Sequence, residues 1–183
     1  MNWIYWVAQG IGALAGLAYL YATIKHLERG PILFINIIVN LLWAVHYSLL
    51  GAWTGMAGSV LTAFMFFVFS FKDSFPAHEV RGVPVLFFLL FGLLTYRTWG
   101  GPISLLSLGG YGFLLFAIWN DKEWDIKAWC LPAAVLFLLY NIAVSSIIGI
   151  VMQALSFVFN LVFISSHKRQ TIGKTEKGRE TKL

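Results

Sequence analysis

The sequence predicts an all-α integral membrane protein with seven transmembrane helices. They form two parallel three-helix repeats joined by one linker helix, with the N-terminus outside and the C-terminus inside. Three observations carry this prediction. Apolar residues make up 59% of the 183-residue chain and charged residues only 11%, whereas a soluble domain carries about a quarter charged residues. Residues 6–72 and 101–167 hold three apolar runs each, in the same order and 95 residues apart. The basic residues fall almost entirely on one side of the resulting layout.

A hydrocarbon core needs about 20 apolar residues per helix. The apolar runs are 3–24, 32–50, 54–71, 83–96, 102–119, 128–145 and 147–166. The first is a span rather than a secretory leader, because it lacks a basic head and is long and interrupted by polar residues. The second and third repeat the scheme with a neutral turn between them. The fourth is the shortest, beginning around Pro84 and ending at Arg97. It is required nonetheless, since without it the second repeat would be inverted and its basic tail would lie outside. The last three match the first three in order. Lys25-His26-Leu27-Glu28 falls on Asn120-Asp121-Lys122-Glu123, Trp43-Ala44-Val45-His46 on Leu138-Leu139-Tyr140-Asn141, and Lys72 on His167. Repeats of this size within an apolar chain indicate architecture. The expected divisions are a first repeat over 1–72, a linker loop and helix over 73–98, a second repeat over 99–167, and a disordered basic cytoplasmic tail over 168–183.

Cytoplasmic loops collect Lys and Arg. With seven spans, one side holds Lys25, Arg29, Lys72, Arg81, Lys122, Lys127, Lys168, Arg169, Lys174, Lys177, Arg179 and Lys182, and the other holds only Arg97. The net charge of +5 sits mostly in the tail, which reads as a topology anchor. No nucleic-acid partner is expected, because basic and aromatic residues do not interleave outside the spans. Trp3, Trp6, Trp53, Trp99 and Trp124 near span ends read as interfacial anchors. Cys130, the single cysteine, excludes an internal disulfide and says nothing of redox compartment.

No span carries Asp, Glu, Lys or Arg in its interior. Neutral polar groups there should face the bundle interior or a wet cavity. Helical spacing aligns Asn36, Asn40, Trp43 and Tyr47, with His46 flanking them. It also aligns Ser59, Thr62, Phe66 and Ser70 on the third span, and Gln153, Ser156, Asn160 and His167 on the seventh. Asn141 and Ser145 are one turn apart beside Tyr140, and Gln9, Gly12 and Gly16 fall opposite Ser104, Ser107 and Tyr111. Gly12 and Gly16 fit close helix packing, and many such amides and hydroxyls simply tie helices together. An aromatic wall beside amides, as at Trp43, suits a flat or ring-shaped polar solute. His46 is the one group inside a span that titrates near neutrality. The spans hold no acidic partner for it, which argues against ion-driven pumping. There is no paired carboxylate, no Cys cluster, no H-x-x-x-H and no Gly-rich phosphate loop. Neither an enzyme nor a cofactor or metal site is expected.

The layout of three, one and three spans resembles the SWEET and PQ-loop superfamily over residues 3–167, although the Pro-Gln dipeptide of PQ-loop proteins is missing. Ala8-Gln9-Gly10-x-Gly12, His46-x-x-Leu49-Leu50-Gly51, Asn141 and Asn160 resemble the small bacterial inner-membrane YgjV family. Gln153 stands where that pattern has an acidic residue, and Thr62 where it has an Asn. The resemblance implies a multi-pass protein of the bacterial inner membrane. It also implies facilitated passage of a small solute such as a sugar, nucleoside or vitamin, gripped midway between the repeats by Asn and aromatic residues. Trp43 and Tyr140 are expected to stack on the solute. Asn40, His46, Asn141 and Asn160 are expected to hydrogen-bond it, with Thr62 and Gln153 in support. The rival expectation is a membrane receptor or partner subunit whose repeats meet in a packed seam. The lipid bilayer is the partner common to both.

Overall fold

A computed structural model describes residues 3–24, 29–74, 82–120 and 122–180. These residues form seven α-helices and no strand: α1 (Trp3–Ile24), α2 (Arg29–Leu49), α3 (Trp53–Phe69), α4 (Val83–Arg97), α5 (Ile103–Trp119), α6 (Glu123–Ala143) and α7 (Ile147–Glu180), with a 3-10 turn at Lys72–Ser74 after α3. Four segments are long and apolar enough to cross a membrane: Trp3–Ala22, Gly30–Leu49, Glu123–Ala143 and Ile147–Ser166. The shorter helices α3, α4 and α5 are also apolar.

Two boundaries differ from the hydropathy reading for identifiable reasons. Helix α6 starts at Glu123, ahead of the apolar run, with Glu123 and Asp125 in its first turn. Carboxylates there complement the positive end of the helix dipole, but they are invisible to a search for apolar residues. Residues 168–180, expected to be disordered, continue α7 as helix. Extending an existing helix avoids the nucleation cost, and Lys, Arg, Gln and Glu are good helix formers. Residues 181–183 of that tail lie outside the described residues, as do the charged loop residues 25–28.

Polarity is distributed opposite to the pattern in a soluble protein. Leu14, Leu17, Phe34, Val85, Leu89 and Phe159 are exposed, while Gln9, His46, Thr54, Ser59, Thr62, Ser104, Ser107, Asn141 and Asn160 are buried. Lipid tails accept the first set, and only the bundle interior can satisfy the second. Trp3, Trp6, Trp53, Trp99 and Trp124 are exposed near helix ends, as interfacial anchors would be.

Within the first half α1 packs on α2 and α2 on α3, and within the second α5 packs on α6 and α6 on α7. The halves meet where α3 touches α5 and where α1 touches α7, while α4 lies against α3 and α5. The main apolar cluster sits in this α3–α4–α5 region and includes Met65, Phe69, Phe87, Phe91, Leu115 and Phe137. Glycines let the elements approach. A Cβ on Gly16 would come 2.7 Å from Met152 Sδ, and one on Gly58 would collide with the Tyr111 ring.

Helices α2 and α6 end in the same way. Ala52 N–H donates to Tyr47 O and Gly51 N–H to Ser48 O, while Ser146 N–H donates to Asn141 O and Ser145 N–H to Ile142 O. Both are Schellman motifs, with Gly51 at φ +70 and Ser145 at φ +56 in the left-handed position. Ser145 follows Gly51 by 94 residues, so at this turn the spacing is one less than the 95 that the sequence layout suggests. Tyr47 therefore corresponds to Asn141, His46 to Tyr140 and Gly55 to Gly149.

Gly58→Ala should lower the melting temperature in detergent by overpacking α3 against Tyr111, at a cost of about 1–3 kcal/mol. An unchanged melting curve would show that this contact relaxes freely.

Candidate functional site

The polar side chains sort into two places. One is a hydrogen-bonded seam between the halves, near the turns that join α2 to α3 and α6 to α7. The other is a cleft deeper along the bundle.

The seam begins with a backbone problem. The first four N–H groups of an α-helix have no partner within the helix. Ala52 provides no side-chain cap for α3. Gly55 N–H instead donates to the hydroxyl of Tyr140, on α6, at 2.8 Å. At the start of α7, Ile148 N–H donates to Gln9 Oε1 of α1 at 2.9 Å, and Gly149 N–H to Ser146 Oγ at 3.1 Å. One helix start in each half is thus capped by a side chain of the other half.

His46 is fully buried. Its Nδ1 lies 2.7 Å from Ala8 O, and its Nε2 lies 2.7 Å from Ser146 Oγ. A carbonyl can only accept, so Nδ1 carries the proton. Ser146 Oγ already accepts from Gly149, so its own proton is available to Nε2. This set of bonds is complete with a neutral imidazole. Beside it the Tyr47 hydroxyl donates to Asn141 Oδ1 at 3.0 Å, and Asn141 Nδ2 donates to Phe137 O at 2.7 Å. Asn141 is fully buried, and Gly149 makes room for it, since a Cβ there would collide with the amide. Tyr111 Oη donates to Gly55 O at 2.9 Å and lies 3.0 Å from Ser59 Oγ. Thr54 Oγ1 donates to Thr98 O and lies 3.0 Å from Ser104 Oγ. Tyr5 Oη donates to Ser145 O. At the opposite end of the bundle Lys72 Nζ donates to Trp119 O at 3.1 Å and sits over the Trp119 ring.

The cleft has a volume of about 140 Å³ and lies between the halves. Its polar wall is Asn36, Asn40, Gln153, Ser156 and Ser59. Trp43, Tyr47, Tyr111, Phe66 and Phe137 supply aromatic surface, and Tyr19, Met152 and Cys130 also line it. Trp43 stacks on Tyr47 at 5.7 Å and meets His46 edge-on at 5.1 Å. Asn36 Nδ2 donates to Ile32 O, and Asn40 Nδ2 to Asn36 O. Each Asn keeps its side-chain oxygen and one N–H without a partner among the described residues. The Gln153 side chain has no hydrogen-bond partner among them either. None of the described residues that line the cleft is charged.

Of the residues singled out in the sequence, Asn40, Trp43 and Gln153 line the cleft. His46 and Asn141 are held inside the seam. Tyr140 belongs to the seam and also lines a second pocket of about 430 Å³, formed with Trp53, Thr54, Arg97, Trp99 and Ser104. Thr62 is fully buried and donates to Gly58 O of its own helix. Asn160 is buried and donates to Ser156 O, one turn back on α7. Neither Thr62 nor Asn160 lines the cleft. Asn36, Ser59, Ser156 and Tyr111 do line it and had appeared in the polar stripes, but a stripe gives direction without depth. Tyr19, Met152 and Cys130 carried no sequence signal.

An all-helical chain with lipid-facing apolar residues and a buried polar seam is a membrane protein by construction. The chain matches the family model of the bacterial inner membrane protein Imp-YgjV over residues 6–171. It belongs to that family and resides in the bacterial inner membrane. No curated protein and no solved structure matches it.

The two places should respond differently to substitution. Asn141→Ala leaves the Tyr47 hydroxyl without its acceptor and should reduce stability by about 1–3 kcal/mol. Gln153→Ala removes no internal bond and should change stability by less than about 0.5 kcal/mol. Thermal unfolding of the detergent-solubilised variants reads both. Equal losses would dissolve the distinction between seam and cleft.

Proposed function

We propose that the protein is a facilitative transporter of a small, uncharged polar solute across the inner membrane. The observation that carries this reading is the cleft between the halves. It combines aromatic surface with amide groups that retain hydrogen-bonding capacity, and none of its described lining residues is charged, a composition suited to a neutral ring-shaped or planar solute. In this reading the halves are two parallel three-helix repeats, α1–α3 and α5–α7, and α4 is the linker that keeps them parallel. The pairing of α3 with α5, and of α1 with α7, supports that arrangement. The 12-to-1 split of basic residues puts the N-terminus outside and the C-terminus in the cytoplasm. The SWEET-like layout points to a sugar, a nucleoside or a vitamin-like molecule. Trp43 stacks on it, while Asn36, Asn40 and Gln153 fix its orientation. Transport proceeds by rocking of one repeat against the other around the cleft. No reaction is catalysed, and no cofactor takes part.

A second reading is a receptor or partner subunit that does not transport. The bonds that hold both His46 nitrogens, and the oxygen and one N–H of Asn141, within the seam favour it, because these groups already have partners in the bundle.

A thermal-shift screen of the purified protein against neutral sugars, nucleosides and vitamins separates the readings. A ligand at 100 times its dissociation constant should raise stability by about 2.7 kcal/mol, and Gln153→Ala should weaken that effect. Uptake of the same compound into proteoliposomes should follow its own gradient, unaffected by an imposed pH or sodium gradient. Accumulation driven by either ion would overturn the facilitator reading. Binding without uptake would favour the receptor.

A further inference from the structure

The two pockets both reach the backbone of a single residue, Gly55. Tyr111, which lines the cleft, donates its hydroxyl to Gly55 O. Tyr140, which lines the second pocket, receives Gly55 N–H on its hydroxyl. Tyr47 lines the cleft too, and its ring meets that of Tyr140 edge-on at 5.8 Å. Three tyrosines from α2, α5 and α6 thus converge on the first turn of α3. Glycine is required where they land. A Cβ on Gly55 would come 2.7 Å from Tyr140 Oη and 3.0 Å from Tyr47 Cγ, and one on Gly58 would collide with the Tyr111 ring.

Among the described residues eight hydrogen bonds join the halves around this point, made through Tyr5, Gln9, His46, Tyr47, Thr54, Gly55, Ser59 and their partners. Lys72 and Trp119 are also linked, at the far end.

We propose that the cleft and the second pocket are the two mouths of one passage, and that Tyr47, Tyr111 and Tyr140 on Gly55 form the gate that closes its outer mouth. The pocket bounded by Trp53, Arg97, Trp99 and Ser104 is then the outer vestibule, and the cleft is the inner chamber, on the cytoplasmic side of the gate. The gate is made of neutral groups. Opening it uncovers the N–H and C=O of Gly55 and three phenols, all of which water can satisfy. No buried charge has to be exposed. Interhelical hydrogen bonds in a membrane are individually weak, so this barrier can open bond by bond. The inference builds on the transport reading, but its test reads water access and needs no solute.

Cys130 supplies the probe, being the single cysteine of the chain and a wall of the cleft. A membrane-impermeant maleimide is applied to spheroplasts, which expose the outer face, and to inverted vesicles, which expose the cytoplasmic face. The unmodified protein should be labelled much faster in inverted vesicles than in spheroplasts, where label enters only when the gate opens. Tyr140→Ala and Tyr47→Ala should become labelled from both faces. Tyr140→Phe keeps the ring and removes only its bond to Gly55, so it should label from outside faster than the unmodified protein. It carries the test if the alanine variants fail to insert. The proposal is overturned if the unmodified protein is labelled as fast from outside as from the cytoplasmic face, or from neither face. It is equally overturned if every inserted tyrosine variant stays as closed from outside as the unmodified protein. If the labelling pattern holds and no solute is taken up, the gate stands and the transport reading falls.

Discussion

The starts of two helices inside a bundle set the terms for the rest of the structure. Helices α3 and α7 follow tight turns and begin with backbone N–H groups that no residue of their own helix can satisfy. In hydrocarbon such groups are expensive to leave unpaired. Tyr140 caps α3 and Gln9 caps α7, each from the opposite half. Ser146 caps α7 at Gly149 and hands its own proton to His46, which in turn holds Ala8 O on α1. The seam is therefore a consequence of helix geometry as much as of side-chain chemistry. Its residues have little freedom to serve a solute while they serve the backbone.

This division of labour explains how much of the site was legible. Helix number, order and approximate extent follow from hydropathy, and the described helices α1 to α5 begin and end within three residues of the apolar runs. The direction in which each polar residue points also follows, because helical period fixes it. Depth does not follow. Asn36 and Asn40 share a stripe with Tyr47, yet the first two face the cleft and Tyr47 bridges cleft and seam. His46 and Asn141 stand out in the sequence as polar groups in apolar surroundings. The structure shows them held by Ser146, Ala8, Tyr47 and Phe137. Gln153, whose side chain has no partner among the described residues, is chemically the freer group, and nothing in its local sequence says so.

The expected repeat sets the halves 95 residues apart, whereas the two matching turns lie 94 apart. Aligned at 95, His46 pairs with Asn141, two polar residues that look like equivalents. The matched Schellman motifs align at 94 and pair Tyr47 with Asn141 instead. These two residues, at matching places in the two turns, bond directly to each other. Gly55 and Gly149 are the other informative pair. Each sits in the first turn of its helix, and each receives a side chain that a Cβ would exclude, Tyr140 in one case and Asn141 with Ser146 in the other. Low identity between the halves hides this correspondence from comparison by letters, because backbone geometry preserves the turn and the glycine while the side chains landing on them differ.

The central claim is that the cleft carries a solute from one face of the membrane to the other. Counterflow in proteoliposomes tests it most directly. Vesicles are preloaded with the unlabelled compound that stabilises the protein and diluted into a trace of the labelled form, with no ion gradient. The account predicts a transient rise of label inside above its outside concentration, lost when Trp43 is replaced by Ala and retained when the lipid-facing Leu14 is replaced by Ala. Entry of label no faster than into protein-free vesicles would contradict it and leave the seam as the architecture of a protein that does not transport.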